Sequence, residues 1–137
     1  MPNQKNRVVI DTNLWISFLL TKDLSKLDAI IADQQLILVI SQELIDELVE
    51  VTQRSKFRKY FPLDDVEKLL IMVRNRGVLI NVKSTVNACR DPKDDFLLSL
   101  SLDGEATHLI TGDKDLLVLG TFGSTKILSI TEYLLEY

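Results

Sequence analysis

Cysteine and histidine are almost absent: one of each, Cys89 and His108, in 137 residues. A lone cysteine excludes an intramolecular disulfide and any multi-cysteine zinc site. A lone histidine leaves little room for histidine-ligated zinc or a Ser-His-Asp triad, and both residues read as structural. No apolar run reaches the ~20 residues of a membrane span. The polar start, Pro2 to Arg7, lacks a secretory core, so a cytoplasmic protein with no membrane contact is expected. A basic excess is also missing. The formal net charge of −4 argues, taken alone, against bulk nucleic-acid binding. It equally suits carboxylates gathered in one metal pocket, so their distribution must decide. No internal repeat, low-complexity tract or linker interrupts the chain, and its length predicts a single domain, 1–137, able to bury a core without cross-links.

What is present is alternation. Arg7 to Ile10 reads as a short central strand that ends in a carboxylate, Asp11. Leu14 to Leu20 reads as a helix for which Thr12 or Asn13 suits the N-cap. Asp23 or Ser25 opens a second helix to about Asp33, with Leu24, Leu27, Ile30 and Ile31 at helical spacing. Leu36 to Ile40 is an unbroken apolar run, as in a strand buried on both faces of a parallel sheet. Ser41 caps a helix from Gln42 to Gln53 whose core face is Leu44, Ile45, Leu48, Val49 and Val51. Asp64 can cap a helix from Asp65 to Arg74, ended by Gly77. Val78 to Val82 forms a third strand. Asp91-Pro92 is a strong helix start, and that helix runs to Asp103, followed by Gly104. His108 to Thr111 is a fourth strand, Leu116 to Leu119 a short helical segment, Lys126 to Ser129 a fifth strand and Glu132 to Glu136 a closing helix. Alternating strands and helices predict an α/β fold, a parallel sheet with helices on both faces.

The carboxylates that matter are those carried to the carboxyl ends of the strands, where open α/β sheets bind ligands. Asp11 follows the first strand directly, though a plain helix cap would explain it too. Asp113 and Asp115 follow the fourth strand as Thr111-Gly112-Asp113-Lys114-Asp115, a sequence equally at home in an ordinary turn. Glu47 shares its helix with Glu43, Asp46 and Glu50. At ~100° per residue it lies roughly 110° from the centre of the apolar face, and the others about 150–170° away. Glu47 is therefore the acid at the border of the buried face. Asp94 and Asp95 both sit in the first turn after Asp91-Pro92, and apolar residues surround that helix, so periodicity leaves the choice between them open. Clustered carboxylates raise one another's pKa. A hard divalent cation removes that penalty, and such a site can activate water and hold a phosphodiester.

In this order, Asp11-Thr12-Asn13, Ser41 to Glu47-Leu48, Asp91-Pro92-Lys93-Asp94-Asp95 and Thr111 to Leu117 resemble the successive motifs of the PIN domain family. The nearest branch is the toxins of type II (VapC-like) toxin–antitoxin pairs, and the likeness runs from about Arg7 to Leu128. The resemblance implies a three-layer α/β/α sandwich, here with a mostly parallel five-stranded sheet, and an endoribonuclease that hydrolyses RNA with metal-activated water. It assigns the acidic site to Asp11, Glu47, Asp94 and Asp113, with Asp115 auxiliary, and prefers Asp94 to Asp95. It gives Asn13 and Thr111 supporting polar roles. It further implies one or two Mg²⁺ or Mn²⁺ ions, a homodimer and a small antitoxin partner. The chain departs from the branch at Ser55, which stands where proline is usual, and at Ser99 and Ser101, which replace small apolar residues.

The most basic stretch, Arg54 to Phe61, interleaves Arg54, Lys56, Arg58 and Lys59 with Phe57, Tyr60 and Phe61. Phosphate contact is expected of some of these cations, and core or interface packing of the rings. Arg7 and Lys114 are further cations placed near the strand edge, and Trp15 and Phe18 read as core or dimer contacts. Two other functions compete. A haloacid-dehalogenase-like phosphatase needs a second Asp two residues after the first, where this chain has Asn13. A non-catalytic module keeping the fold for RNA or protein binding would have no need of all four acids.

Overall fold

A computed structural model describes residues 6–21, 25–33 and 35–136. In chain order the elements are β1 (Arg7–Ile10), α1 (Thr12–Thr21), α2 (Ser25–Ile31), β2 (Ile37–Ile40), α3 (Gln42–Thr52), α4 (Leu63–Arg76), β3 (Gly77–Leu79), α5 (Pro92–Asp103), β4 (His108–Ile110), α6 (Lys114–Leu117), β5 (Thr121–Phe122), β6 (Thr125–Leu128) and α7 (Ile130–Glu136), with a 3₁₀ turn at Arg58–Tyr60. The sheet order is β3-β2-β1-β4-β6-β5, parallel except for the β5–β6 pair.

Val8–Ile10, Leu38–Ile40 and Leu109–Ile110 are apolar at every position because both faces of the central sheet are covered. Val8, Ile10, Leu38, Ile40, Ile110 and Leu128 point into one core with the apolar sides of α1, α2, α3, α4 and α7. Their alternates Val9, Val39, Leu109 and Ile127 point into the other, against Leu97, Leu98 and Leu100 of α5 and Leu116 of α6. Two cores on opposite faces of one sheet make the expected α/β/α sandwich. No helix among the described residues is long and apolar enough to cross a membrane.

The sheet differs from expectation by one strand. Thr121–Phe122 folds back on β6 as a sixth, antiparallel edge strand. Its tight turn contains Gly123 at φ 58°, a conformation glycine adopts without steric penalty. Two residues are too few for alternation to register. β3 stops at Leu79, although the apolar run continues to Val82. Ile80 N–H still donates to the Ile40 carbonyl at 2.7 Å; the chain then leaves the sheet and lies along α5, where Asp103 accepts from the Lys83 and Ser84 N–H groups. Ser99 accepts from Val86 N–H at 3.1 Å and donates to the Asp95 carbonyl at 3.0 Å. Ser101 donates to the Leu97 carbonyl at 2.8 Å. The two serines that depart from the family pattern are thus both hydrogen-bonded, and Ser99 anchors the connection.

Several helix ends also move. Asp11, not Thr12 or Asn13, caps α1: its side chain accepts from Asn13 N–H and its carbonyl from Leu14 and Trp15. Pro62 takes the cap position of α4, with Asp64 and Asp65 inside the first turn. The second helix begins at Ser25; Asp23 and Leu24 lie outside the described residues. On α3, Ile45 and Leu48 are buried while Leu44, Val49 and Val51 are half-buried. Gly77 is extended, not left-handed. A Cβ there would fall 2.5 Å from the Val73 carbonyl and 2.7 Å from Ile40 Cδ1, so close approach, not turn chirality, requires glycine.

Strand register aligns the carboxyl ends of β1 and β4, pairing Ile10 with Ile110. The chain builds β2 and β3 on one side of β1, then crosses to build β4 and β6 on the other. The reversal lies between β1 and β4, the switch point where such sheets open a crevice. Asp11 and Thr111 are the first residues past the strands there.

Candidate metal centre

Asp11 is buried, 6% exposed. Its Oδ1 accepts from Asn13 N–H at 3.1 Å and its Oδ2 from the Thr111 hydroxyl at 2.8 Å. The same hydroxyl oxygen accepts from Asp113 N–H at 3.0 Å. Thr111 thus joins the end of β1 to the start of the turn after β4. Asp113 caps α6, its Oδ1 accepting from Asp115 N–H at 2.8 Å and Leu116 N–H at 3.2 Å. Asn13 lines the cleft, and the bond to Asp11 comes from its backbone, not its amide.

The first turn of α5 separates its two acids. Asp95 Oδ1 accepts from the Ala88 and Cys89 N–H groups at 2.9 and 2.8 Å, which anchors residues 80–91. Asp94 turns the other way. It is 5% exposed, and its buried Oδ2 has no hydrogen-bond partner among the described residues. Burial, then the charges of Asp113, Asp91, Asp11 and Asp115, push its carboxyl up to about 6. Burial also raises Asp11, opposed by the hydrogen bonds from Asn13 and Thr111 and assisted by the charges of Asp113 and Glu47.

Carboxylate oxygens of Asp94, Asp113 and Asp115 lie within 4.8 Å of one another. Asp11 and Glu47 stand outside that group among the described residues, but Asp11, Glu47, Asp94 and Asp113 all line one cleft of about 450 Å³. Glu47 is half-buried while Glu43, Asp46 and Glu50 are exposed, so the helical phase of α3 sets Glu47 deepest of the four. Two cations touch the site that residue type alone did not single out. Lys93 Nζ lies 3.3 Å from Glu47 Oε1, and the Arg90 guanidinium 3.3 Å from Asp115 Oδ1. Glu43 and Asp91 line the cleft as well. Glu43 is one helical turn before Glu47, which is the signal that could have found it.

Six carboxylates and one ammonium group line the cleft. An unpartnered buried carboxylate oxygen is costly, and three carboxylates with oxygens within 4.8 Å of one another raise that cost. A hard divalent cation satisfies both, since Mg²⁺ and Mn²⁺ take oxygen donors. The donor set therefore fits such an ion.

The basic stretch is less uniform than its composition. Arg54 is held by Glu50 in a two-pronged contact at 2.9 and 2.8 Å. Phe61 is buried, Phe57 packs against the core and Tyr60 is exposed. Lys59 lies 5.0 Å from the Tyr60 ring and Lys56 5.8 Å from that of Phe57; Arg58 is exposed. Arg7 starts β1, at the opposite edge from Asp11, and its Nε donates to the Gly104 carbonyl. Lys114 does sit at the carboxyl edge, at the start of α6. Trp15 and Phe18 are buried edge to face. His108 is buried against Tyr133.

A mostly parallel sheet in an α/β/α sandwich with a carboxylate cleft at its switch point defines the class: an α/β protein with an acidic site that fits a divalent metal. The PIN domain family model matches residues 7–115, and the chain belongs to that family, whose members are typically metal-dependent nucleases. It is also 31% identical over 122 residues to an uncharacterized protein of Methanocaldococcus jannaschii, an alignment covering 87% of this chain and 78% of the relative.

Proposed function

We propose that this protein is a metal-dependent endoribonuclease, with Asp11, Asp94 and Asp113 as ligands to Mg²⁺ or Mn²⁺, Asp115 auxiliary, and Glu47 either ligating or positioning water. The observation that carries this reading is the buried Oδ2 of Asp94, unpartnered among the described residues, on a carboxylate that lies within 4.8 Å of those of Asp113 and Asp115. A bound divalent cation neutralises the crowded acids, activates water and holds phosphate oxygens.

The chain's own groups do the rest. Thr111 holds Asp11 and the Asp113 backbone in one orientation. The N-terminal N–H groups of α6 fix Asp113. Lys93 offsets the negative charge of Glu47 at the entrance a polyanionic strand must use. We further infer the toxin role of a toxin–antitoxin pair, with a homodimer and a small antitoxin, from the resemblance to that branch. Exposed apolar side chains, Ile71 on α4 and Leu79 on β3, offer surface for such partners.

The test is Asp11→Asn. It keeps the shape of a side chain hydrogen-bonded at both oxygens and removes its charge. Mn²⁺-dependent cleavage of single-stranded RNA should disappear while circular dichroism and the urea midpoint show a folded protein. Undiminished cleavage overturns the assignment. A native protein that binds no Mn²⁺ near neutral pH would instead be a non-catalytic binding module.

A further inference from the structure

A second groove, about 310 Å³ in volume, lies beside the acidic cleft. Pro92 and Phe96 line both. The far wall of the second groove is the connection 80–91, which contributes Thr85 and Asn87 among others. That connection is fixed by hydrogen bonds to Asp103, Ser99 and Asp95. The one carboxylate lining the groove, Asp95, already accepts two backbone N–H groups. The groove therefore presents hydroxyl and amide groups where its neighbour presents a field of charge.

Phe96 is half-exposed and packs into neither core, although Leu97 and Leu98 beside it are buried in the second. An aromatic face at the junction of a phosphodiester site and a polar, weakly charged groove has the chemistry of a base-stacking platform. We propose that this groove is a nucleobase subsite. The base flanking the scissile phosphate stacks on Phe96, and its edge meets Asn87 and Thr85. The inference rests on the ribonuclease reading above and deepens it. A base in a duplex has both faces covered by its neighbours, so the subsite restricts the substrate to single-stranded RNA. Asn87 offers both donor and acceptor, so it favours particular bases at that position.

The test uses the Asp11→Asn protein, which leaves RNA intact, and a labelled single strand of roughly 12 nucleotides read by fluorescence anisotropy. Adding Phe96→Ala should weaken binding about tenfold, within the range of losing one stacked base. Phe96→Tyr should restore it, and the exposed Asn87→Ala should flatten the preference among bases. Calorimetry on Phe96→Ala without the Asp11 change should return native Mn²⁺ affinity. RNA affinity unchanged by Phe96→Ala, in a protein that binds Mn²⁺ and cleaves RNA, overturns the subsite, spares the enzymatic reading and leaves the groove to a peptide. Loss of Mn²⁺ binding in Phe96→Ala also overturns the subsite, by making the ring a structural support. Failure of the native protein to bind Mn²⁺ and to cleave overturns the reading beneath it.

Discussion

Asp94→Asn separates what the acidic site does for the metal from what it does to the fold. The native carboxyl is 5% exposed with one oxygen unpartnered, and burial, more than the neighbouring acids, raises it from 3.8 to about 6. That displacement corresponds to on the order of 3 kcal/mol of differential interaction. A carboxyl raised in the fold holds its proton more tightly there than in the unfolded chain. The ionised native state is therefore penalised. The penalty is absent below the unfolded value, grows between 3.8 and about 6, and is complete above. Asparagine carries no charge at any pH. It leaves a buried amide N–H unpaired at a cost of about 1–3 kcal/mol, but that offset does not vary with pH. In urea unfolding with a chelator present, the stability of Asp94→Asn relative to native should rise by on the order of 3 kcal/mol from pH 4 to pH 7. Saturating Mn²⁺ should reverse the order. At a hundredfold excess over Kd it stabilises the native protein by about 2.7 kcal/mol and the variant by much less. A difference that stays flat across that pH window, or equal stabilisation of both by Mn²⁺, would refute the reasoning.

Lys93→Gln should tighten Mn²⁺ binding by about two- to fivefold, the worth of an exposed ion pair, because Glu47 loses its competing cation; weaker binding by calorimetry would contradict this. Thr111→Val removes a buried donor to Asp11 and the acceptor for Asp113 N–H, so urea unfolding should show a loss of about 1–3 kcal/mol together with weaker Mn²⁺ binding. Gly104→Ala places a Cβ 2.4 Å from Val39 Cγ1 and should cost about 1–3 kcal/mol. Glu105, left-handed at φ 51°, should gain about 1 kcal/mol when changed to glycine. Melting temperatures for those last two variants should therefore move in opposite directions.

Much of the fold was legible because buried parallel strands carry an unmistakable signal. Val8 to Ile10 and Leu38 to Ile40 are apolar at every position, and both faces are covered in the structure. What misled was apolarity without pairing. Ile80 and Val82 follow the run of β3 but pack against the second core from the connection along α5, and the last bond to β2 is from Ile80 N–H to the Ile40 carbonyl. Sequence pattern reports burial, and it reports hydrogen-bond partner only through burial. Gly104 does follow the end of α5, but the left-handed residue there is Glu105, and glycine is needed at 104 for its closeness to Val39.

The site divides along the same line. Glu47 was accessible to arithmetic, since a helix phase fixes which of four acids meets the buried boundary. Asp11 could be read as a cap or as a site residue, and one role does not exclude the other: its backbone carbonyl starts α1 while its carboxylate lines the cleft. Asp94 and Asp95 were beyond such reasoning, because apolar residues surround α5 and leave it without phase. The decision between them comes from residues 80–91, whose amides at Ala88 and Cys89 need an acceptor. Asp95 supplies it, and its carboxylate is thereby held on the side of the neighbouring groove, away from the acidic cleft. Asp94, one residue earlier on the helix, turns to the other side with an oxygen that no described residue satisfies. The family motif names the acid, but the backbone that binds its neighbour explains why that acid is free.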